Sequence, residues 1–376
     1  MKHVQLIFRI VMACLCCRLT AAPHTVEEGS SLETFLGIDH QVSPIIEELI
    51  ASPVMQRLKG IDQSGITRYF HNLPAFNRYD HSLGVYMLLR RYGASLDECV
   101  AGLLHDASHT VFSHVGDFVF GQGVTEGEAY QDCIHDWYLS QQGVAAILAP
   151  HGLTIEQINP KQPSFKALEQ DLPDMCADRI EYNLHTGYLF GLLSYEEVEE
   201  ILEDLHFESP CWFFHTPALA RRFAELSLYF TEHLWASAEN LIAYYWGAEA
   251  LKRAIALNEI SVDDFHFSID SHILMKLAES RDALIQDYLN FCRNPWLGAI
   301  FTEACEADLT LKRKFRGIDP LVKQNGTCLR LSHIDAVFKD YYHAAKERVS
   351  HPFYIKFYKD SDRDLADFCF SLCDPE

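Results

Sequence analysis

Apolar residues recur three or four positions apart along most of this chain, beginning near Ser43. Over residues 43–59 this spacing places the apolar side chains on one face of a helix, where they can pack against a core. Five later segments repeat the pattern, and they are residues 83–92, 96–104, 197–205, 218–257 and 273–289. The pattern therefore predicts an all-α body, in which the long helix over 218–257 should break or bend.

Extended segments are few. Alternation of apolar and polar residues at period two, which marks a half-buried strand, is best seen at residues 67–71 and 352–358. The Asn325-Gly326 pair predicts a tight turn between two short strands. Strands are therefore expected mainly near the C-terminus.

The composition changes near residues 305–320, where aromatic and basic residues replace the amphipathic helices. We therefore predict a helical bundle over residues 33–305 and a smaller α+β extension over residues 306–376 that packs on it. The fold class predicted for the whole chain is mainly α. No repeat of fixed period and no low-complexity tract is visible, which argues against a solenoid or a disordered chain.

The first 22 residues resemble a secretory signal peptide. A short basic start precedes an apolar stretch from Val4 to Cys17, which Arg9 interrupts and small residues follow. The stretch is too short and too charged to span a bilayer, so we predict no transmembrane segment. Cleavage would place the protein in the periplasm, outside the cell or on a lipid anchor, whereas an uncleaved chain would be cytoplasmic. Twelve scattered cysteines without paired spacing leave the compartment open.

The charge of the chain limits its partners. With 31 basic and 53 acidic residues, the formal net charge is −22. Such a protein repels the phosphate backbone, so we expect no large nucleic-acid interface. A small anionic ligand is still compatible with this charge, because a metal ion and a few arginines can reverse the potential locally.

Histidines and acids concentrate in one part of the chain. Residues 81–135 contain five of the 19 histidines, which are His81, His105, His109, His114 and His135. Imidazole and carboxylate groups are nitrogen and oxygen ligands that suit Mn, Fe, Co, Ni or Zn. His105 and His109 would share one face of a helix, and Asp178 offers a carboxylate from a later helix. The cluster predicts a metal site rather than a chance grouping of surface histidines.

The order His81, then His105-Asp106, then Asp178 resembles the signature of the HD superfamily of metal-dependent phosphohydrolases. Within it, the chain is most similar to the deoxynucleoside triphosphate triphosphohydrolases of bacteria and animals, most clearly over residues 33–190. Four stretches carry this resemblance: Met55-Gln-Arg57 through Gln63-Ser-Gly, Arg78-Tyr-Asp-His81-Ser-Leu-Gly, Leu104-His-Asp106-x-x-His109-x-x-Phe112-Ser-His114, and His135-Asp136.

The resemblance implies a helical HD bundle and a role for each matched residue. One divalent metal ion would be held by His81, His105, Asp106 and Asp178. His114 would donate a proton to the leaving oxygen and be oriented by Asp117, while His109 and His135 would contact the reacting phosphate. Substrate contacts would come from Gln63, Arg78, Arg179 and Tyr182. The family also allows a second ion, Mg²⁺, on the substrate phosphates, and its members often form oligomers.

Departures from the family pattern leave the substrate open. Ser108 and Thr110 replace glycines near the central motif, Glu181 replaces the second acid of the later motif, and His185 replaces a basic residue. The first hypothesis is hydrolysis of a (deoxy)nucleoside triphosphate to nucleoside and triphosphate. The second keeps the metal but takes a nucleoside monophosphate or another phosphoester. The third is a non-catalytic nucleotide-binding protein.

Overall fold

The computed structural model describes residues 31–120 and 129–358, and helices dominate both ranges. The predicted signal peptide over residues 1–22 lies outside the described residues, as does the end of the predicted C-terminal extension. No helix within the two described ranges is long and apolar enough to cross a membrane.

Seventeen helices are found in the described ranges. They are α1 (Pro44–Ala51), α2 (Pro53–Arg57), α3 (Thr67–Phe70), α4 (Arg78–Arg91), α5 (Leu96–Leu104), α6 (Val115–Phe120), α7 (Tyr130–Gln141), α8 (Val144–Leu148), α9 (Ala177–Leu189), α10 (Tyr195–Asp204), α11 (Pro217–Phe230), α12 (Ala238–Ala256), α13 (Val262–Phe267), α14 (Asp270–Glu279), α15 (Ala283–Arg293), α16 (Leu331–Ile334) and α17 (Ala336–Ser350).

Nine short strands accompany them. They are β1 (Leu32–Thr34), β2 (Gly37–Asp39), β3 (Leu205–Glu208), β4 (Cys211–Phe214), β5 (Ala299–Phe301), β6 (Leu309–Leu311), β7 (Leu321–Gln324), β8 (Thr327–Arg330) and β9 (Phe353–Phe357). They form a β1-β2 hairpin, a four-stranded sheet in the order β3-β4-β7-β8, and a three-stranded sheet in the order β5-β9-β6. The β4-β7 pairing is parallel, and the other pairings are antiparallel.

The mainly α prediction is confirmed, and so are several local predictions. Helix α5 has the predicted bounds, and Asn325-Gly326 forms the turn between β7 and β8, where both residues have positive φ. The predicted break within residues 218–257 lies between α11 and α12, where a π-helical turn spans Thr231–Trp235. Residues 218–257 thus form two α-helices, α11 and α12, and the π-helical turn between them marks the predicted break.

One of the two strand predictions was wrong, whereas the strand predicted over residues 352–358 is confirmed as β9 (Phe353–Phe357). The segment 67–71 is not a strand, because the Thr67 hydroxyl donates to Ser64 O and the His71 N–H donates to Thr67 O, which closes a helical turn. The body is also not all-α, since β1 to β5 lie within residues 33–305 or at its edge. Strand β4 escaped detection because its aromatic residues, Trp212 to Phe214, are all buried and show no alternation.

The hydrophobic core has two parts, and the histidine-rich segment connects them. The first part packs around α1, α4, α5, α9 and α11 and reaches α17 near the C-terminus. The second lies around α12, α14 and α15 and includes β9. Ala107 belongs to the first part, whereas Val111, Phe112 and Val115 belong to the second. The chain between His105 and His114 therefore runs along the junction of the two parts.

Candidate metal centre and active site

Three helices bring the four predicted metal ligands together. His81 lies in the first turn of α4, His105 and Asp106 directly follow α5, and Asp178 lies in the first turn of α9. The His81 Nε2 atom is 3.0 Å from Asp178 Oδ1, 3.2 Å from His105 Nε2 and 3.7 Å from Asp106 Oδ2. His105 Nε2 is 3.5 Å from Asp178 Oδ1. The nitrogen and oxygen atoms of the four predicted ligands therefore lie close together, although up to 97 positions separate these residues in the sequence.

The hydrogen bonds of the two imidazoles test whether a metal ion fits. His105 Nδ1 lies 2.7 Å from Gly102 O, an acceptor, so Nδ1 carries the proton and Nε2 presents a lone pair. His81 Nδ1 faces the Glu181 carboxylate, so its Nε2 also presents a lone pair. Two lone pairs 3.2 Å apart cannot bond to each other. With two carboxylates beside them, this donor set fits a divalent metal ion, and a cation at the two Nε2 atoms, a metal ion or a proton, relieves the repulsion.

Glu181 links His81 to His185. Its Oε2 bonds to His81 Nδ1, and its Oε1 lies 2.7 Å from His185 Nδ1. The Glu181 side chain is fully buried, and a methyl group at Gly84 would lie 2.4 Å from its carboxylate oxygen. Gly84 is thus needed for this close approach, and Glu181 fixes the ring of a metal ligand. Glu181 lies three residues after Asp178, on the same face of α9, and this spacing could have predicted its role.

Arg78 connects the predicted metal ligand Asp106 to Ser113. Its Nη1 donates to Asp106 Oδ2 and its Nε donates to Ser113 Oγ at 2.8 Å. The side chain is 3% exposed, and its Nη2 atom is buried without a hydrogen-bond partner among the described residues. Arg78 therefore orients Asp106, a predicted metal ligand, and its own contact with substrate stays a prediction.

The predicted catalytic histidines surround the same point. His109 Nε2 is 3.3 Å from Asp106 Oδ1, and the rings of His109 and His114 meet nearly at right angles with centroids 5.0 Å apart. His114 Nδ1 is 3.3 Å from Asp117 Oδ2, and His114 remains about one-third exposed. His135, on α7, has a buried Nε2 atom without a hydrogen-bond partner in the part of the chain that the structure describes. The unpartnered imidazole atoms are available to a ligand.

The predicted metal ligands have strongly shifted pKa values. Burial alone would lower the pKa of His81. The acids Glu181, Asp178 and Asp106 outweigh burial and raise this pKa to about 10. Burial raises the pKa of Asp106, yet Arg78 and the neighbouring histidines hold it well below its usual range. The pKa of Asp178 is likewise lowered, because the two histidines outweigh burial. This point therefore attracts positive charge, as a metal site must.

The other histidines are shifted in the opposite direction. Burial lowers the pKa of His109 to about 3, with Arg78 adding to the effect, and burial lowers the pKa of His135 to about 4. Both imidazoles are therefore neutral at pH 7. The pKa of His114 is also lowered, because desolvation and Arg78 outweigh Asp117. An anionic ligand beside His114 would raise this pKa again.

The other predicted site residues, Gln63, Arg179 and Tyr182, are partly buried. Tyr182 lies one turn after Asp178, with its ring centroid 6.4 Å from that of His81 and 4.9 Å from that of Trp235. Gln63 follows Asp62, whose carbonyl accepts the Ser113 hydroxyl at 2.5 Å. Their contacts with substrate stay predictions, as does that of Arg179, whose Nη1 donates to Asp174 O at 2.9 Å.

Two cations that act electrostatically on the predicted site residues, Lys314 and Arg316, were not predicted. The Arg316 charge contributes to the lowered pKa of His114 and is the largest cause of the lowered pKa of Lys314. It also opposes the burial that raises the pKa of Tyr182. Arg179 also contributes to lowering the pKa of Lys314, so the charges of Arg179 and Arg316 both act on this lysine. We call Arg179, Lys314 and Arg316 the mouth, and His81, His105 and Asp106 the floor. The basic run from Lys312 to Arg316 in an acidic chain was the available signal.

Comparison with known proteins gives the relatives of this chain. Residues 78–180 match the HD domain family, and this range holds all four predicted metal ligands. The chain is 31% identical over 322 residues to the uncharacterized protein YdhJ of Bacillus subtilis, covering 85% of this chain and 97% of YdhJ. It is 37% identical over 163 residues to the metal-dependent phosphohydrolase cns2 of Cordyceps militaris, covering 43% of this chain and 46% of cns2.

More distant matches extend this comparison. Deoxynucleoside triphosphate triphosphohydrolase SAMHD1 of Danio rerio is 28% identical over 137 residues, or 31% of this chain and 22% of SAMHD1. The chain thus spans less than half of cns2 and about a fifth of SAMHD1. Among solved structures, a hypothetical protein from Aquifex aeolicus superposes with a TM-score of 0.63 at 15% identity, covering 90% of this chain and 98% of that protein. This last likeness concerns the fold alone.

Proposed function

Because this chain belongs to the HD superfamily of metal-dependent phosphohydrolases, we propose that it hydrolyses a nucleoside triphosphate to nucleoside and triphosphate. The observation that carries this proposal is the mouth. Arg179 directly follows Asp178, and the charges of Arg179 and Arg316, from two distant segments, both act on Lys314 in a chain of net charge −22. A polyphosphate is the small ligand whose charge best matches them, because it carries several negative charges along a short chain.

Each residue then has a chemical task. A divalent ion on the floor would polarise a phosphoryl oxygen and make a bound water more acidic. His109 and His135, both neutral, would contact the reacting phosphate without adding charge. Phosphate close to His114 would raise the pKa of its imidazole, so that it can give a proton to the departing 5′ oxygen. Asp117, 3.3 Å away, holds the ring in place.

A second candidate is hydrolysis of a phosphomonoester by the same site. It is favoured by Asp117 and Asp132, whose negative charges act on Lys314. They partly offset the lowering of the Lys314 pKa that Arg316 and Arg179 cause. These acids offset part of the cationic charge, which would suit a ligand with fewer phosphates. Ser108 and Thr110, both buried beside the central motif, also fill space that glycines would leave open.

Product analysis distinguishes the candidates. Protein loaded with Mn(II) or Fe(II) is incubated with each dNTP, with GTP and with nucleoside monophosphates, and the products are separated by anion exchange. We expect nucleoside plus triphosphate. Orthophosphate from monophosphates, with triphosphates intact, would contradict the proposal and favour the second candidate.

Two variants control that experiment. Asp106→Ala should lose both bound metal and turnover, and His114→Ala should keep the metal and lose about 10²-fold or more in rate, as loss of a general acid predicts. Turnover that survives both changes would come from a contaminant. Turnover lost in both would exclude the third hypothesis, a non-catalytic binding protein.

A further inference from the structure

The chain between His109 and His114 contains a buried turn with unusual backbone angles. Phe112 has φ of 59° and Ser113 has φ of 55°, and both residues are at most 2% exposed. The left-handed region is costly for residues other than glycine, asparagine and aspartate. Two such residues in succession persist only when surrounding contacts hold them. Because His114 directly follows the turn, those contacts also set the position of its imidazole.

Asp270 supplies the central contact. It is the first residue of α14 and is fully buried. Its Oδ1 accepts the Phe112 N–H at 2.7 Å, while its Oδ2 accepts the Asp62 N–H at 2.9 Å and the Tyr69 hydroxyl at 3.1 Å. A carboxylate that accepts backbone N–H groups from two segments fixes those segments relative to each other.

Neighbouring contacts come from the same region of the chain. The Phe265 carbonyl accepts the Val111 N–H at 3.2 Å. Arg57 donates through Nε to Ser268 O and through Nη2 to His109 O, each at 2.9 Å. Residues 265–270 therefore hold the backbone before the turn and at its first residue, directly or through Arg57, although they lie outside the part of the chain that matches the HD domain.

The turn is also connected to the metal site. Ser113 Oγ donates to Asp62 O at 2.5 Å and accepts from Arg78 Nε at 2.8 Å. Arg78 in turn binds Asp106. Asp270 thus lies at one end of a chain of hydrogen bonds that ends on a predicted metal ligand.

We propose that Asp270 is a positioning residue, which holds the Phe112-Ser113 turn in its left-handed form and thereby places His114 for proton transfer to the leaving oxygen. This inference rests on the role given to His114 in the proposed function. It predicts a defect that depends on the leaving group. A nucleoside alkoxide needs a proton as it departs, whereas 4-nitrophenolate is stable without one.

The test compares two substrates in the full-length, metal-loaded protein carrying Asp270→Asn. Asparagine has a similar size, but its amide nitrogen donates and cannot accept the second backbone N–H. With a nucleotide that releases a nucleoside, we expect kcat to fall about 100-fold, the scale of a misplacement near 1 Å, with metal content unchanged. With the 4-nitrophenyl ester of thymidine 5′-monophosphate, the loss should stay below about threefold, because no acid is needed.

Asp319→Asn is the matched control. Asp319 is also buried, and its carboxylate accepts the Ser332 N–H at 3.0 Å and the Ser332 hydroxyl at 2.6 Å. A comparable loss of stability is expected, with wild-type kcat on both substrates. Full activity of Asp270→Asn on the nucleotide, or an equal loss on both substrates, would overturn the proposal.

Two more variants cover the remaining outcomes. If Asp270→Asn does not fold, Tyr69→Phe removes one donor from Asp270 and should lower kcat about fivefold on the nucleotide alone, since one hydrogen bond contributes about 1 kcal/mol. Unchanged kcat in that variant would overturn the proposal. His114→Ala separates the two ideas. If it keeps full activity, the role of His114 in the proposed function fails; if it is inactive while Asp270→Asn is not, only the positioning role fails.

Discussion

The floor and the mouth of the active site are built in different ways. Every floor residue is at most 7% exposed, and each is held by buried partners. Glu181 holds His81, a backbone carbonyl holds His105, and Arg78 holds Asp106. The mouth is more open, because Arg179 and Arg316 are half-buried and Lys314 is exposed. It also draws on two segments far apart in the sequence.

This difference has a physical consequence. A buried donor set must be organised before the metal binds, because an unpaired charge in a dry interior is costly. A mouth in contact with water can adjust its side chains to a ligand, since solvent screens the cations from one another. We therefore expect the floor to set whether the protein binds metal, and the mouth to set which phosphate compound it binds.

The strongest test of this division is Glu181→Gln. A glutamine has one carboxyl-type oxygen and cannot accept from both His81 and His185, so one imidazole loses its anchor. Changes in residues that orient metal ligands cost about 10- to 100-fold in metal affinity, and we expect that loss here. Competition with a chelator measures it. Glu197→Gln, in the exposed capping box of α10, should leave affinity unchanged. A folded Glu181→Gln protein with full affinity would contradict the division.

Substitutions in the mouth should change substrate binding and leave metal binding unchanged. Replacing Arg316 or Lys314 by alanine should raise KM for a triphosphate about 10-fold, which corresponds to the loss of one charge-assisted contact. Metal content should not change. Steady-state kinetics and metal analysis measure the two quantities side by side. Lys312→Ala, in the same basic run and also exposed, is the matched control and should behave as wild type. Loss of metal in the Arg316 variant would show that mouth and floor are not separable.

Sequence patterns predicted the helical features better than the extended ones. Helix α5 was found because its apolar residues repeat locally, and the turn at Asn325-Gly326 was found because its residue types demand it. The segment 67–71 has strand-like composition but no strand beside it, and it closes a helical turn instead. Pairing partners decide a strand, and they lie elsewhere in the sequence.

The same limit applies to the site. The ligand spacing around His81, His105 and Asp178 suggested one centre, and the structure brings these residues together. No local pattern indicated that Asp270 reaches Phe112, because 158 positions separate them and an aspartate at the start of a helix is common. Contacts between distant segments require the packed fold.

The smallest predicted effect concerns the pH dependence of stability. Burial raises the pKa of Asp270 to about 7, against about 3.9 in an unfolded chain. The folded protein therefore retains a proton that the unfolded chain has lost between these two pH values. Stability from this group is fully present below about pH 4 and decreases as pH rises towards 7.

Thermal unfolding of wild type and Asp270→Asn from pH 5 to pH 8 measures this contribution. Asparagine cannot ionise, so its contribution to stability does not change with pH. The melting temperature of wild type relative to the variant should be higher at pH 5 than at pH 8, by about 5 °C or less. Asp62, whose pKa burial raises to about 6, lies beside Asp270 and interacts with its charge, so the comparison measures Asp270 together with its effect on Asp62. Both proteins are measured with a chelator, so that metal binding does not contribute.

A difference that is constant across this range would mean that Asp270 stays ionised in the folded protein. Its hydrogen bonds to the Phe112 and Asp62 N–H groups would then outweigh its burial, and the turn would be held by a full negative charge.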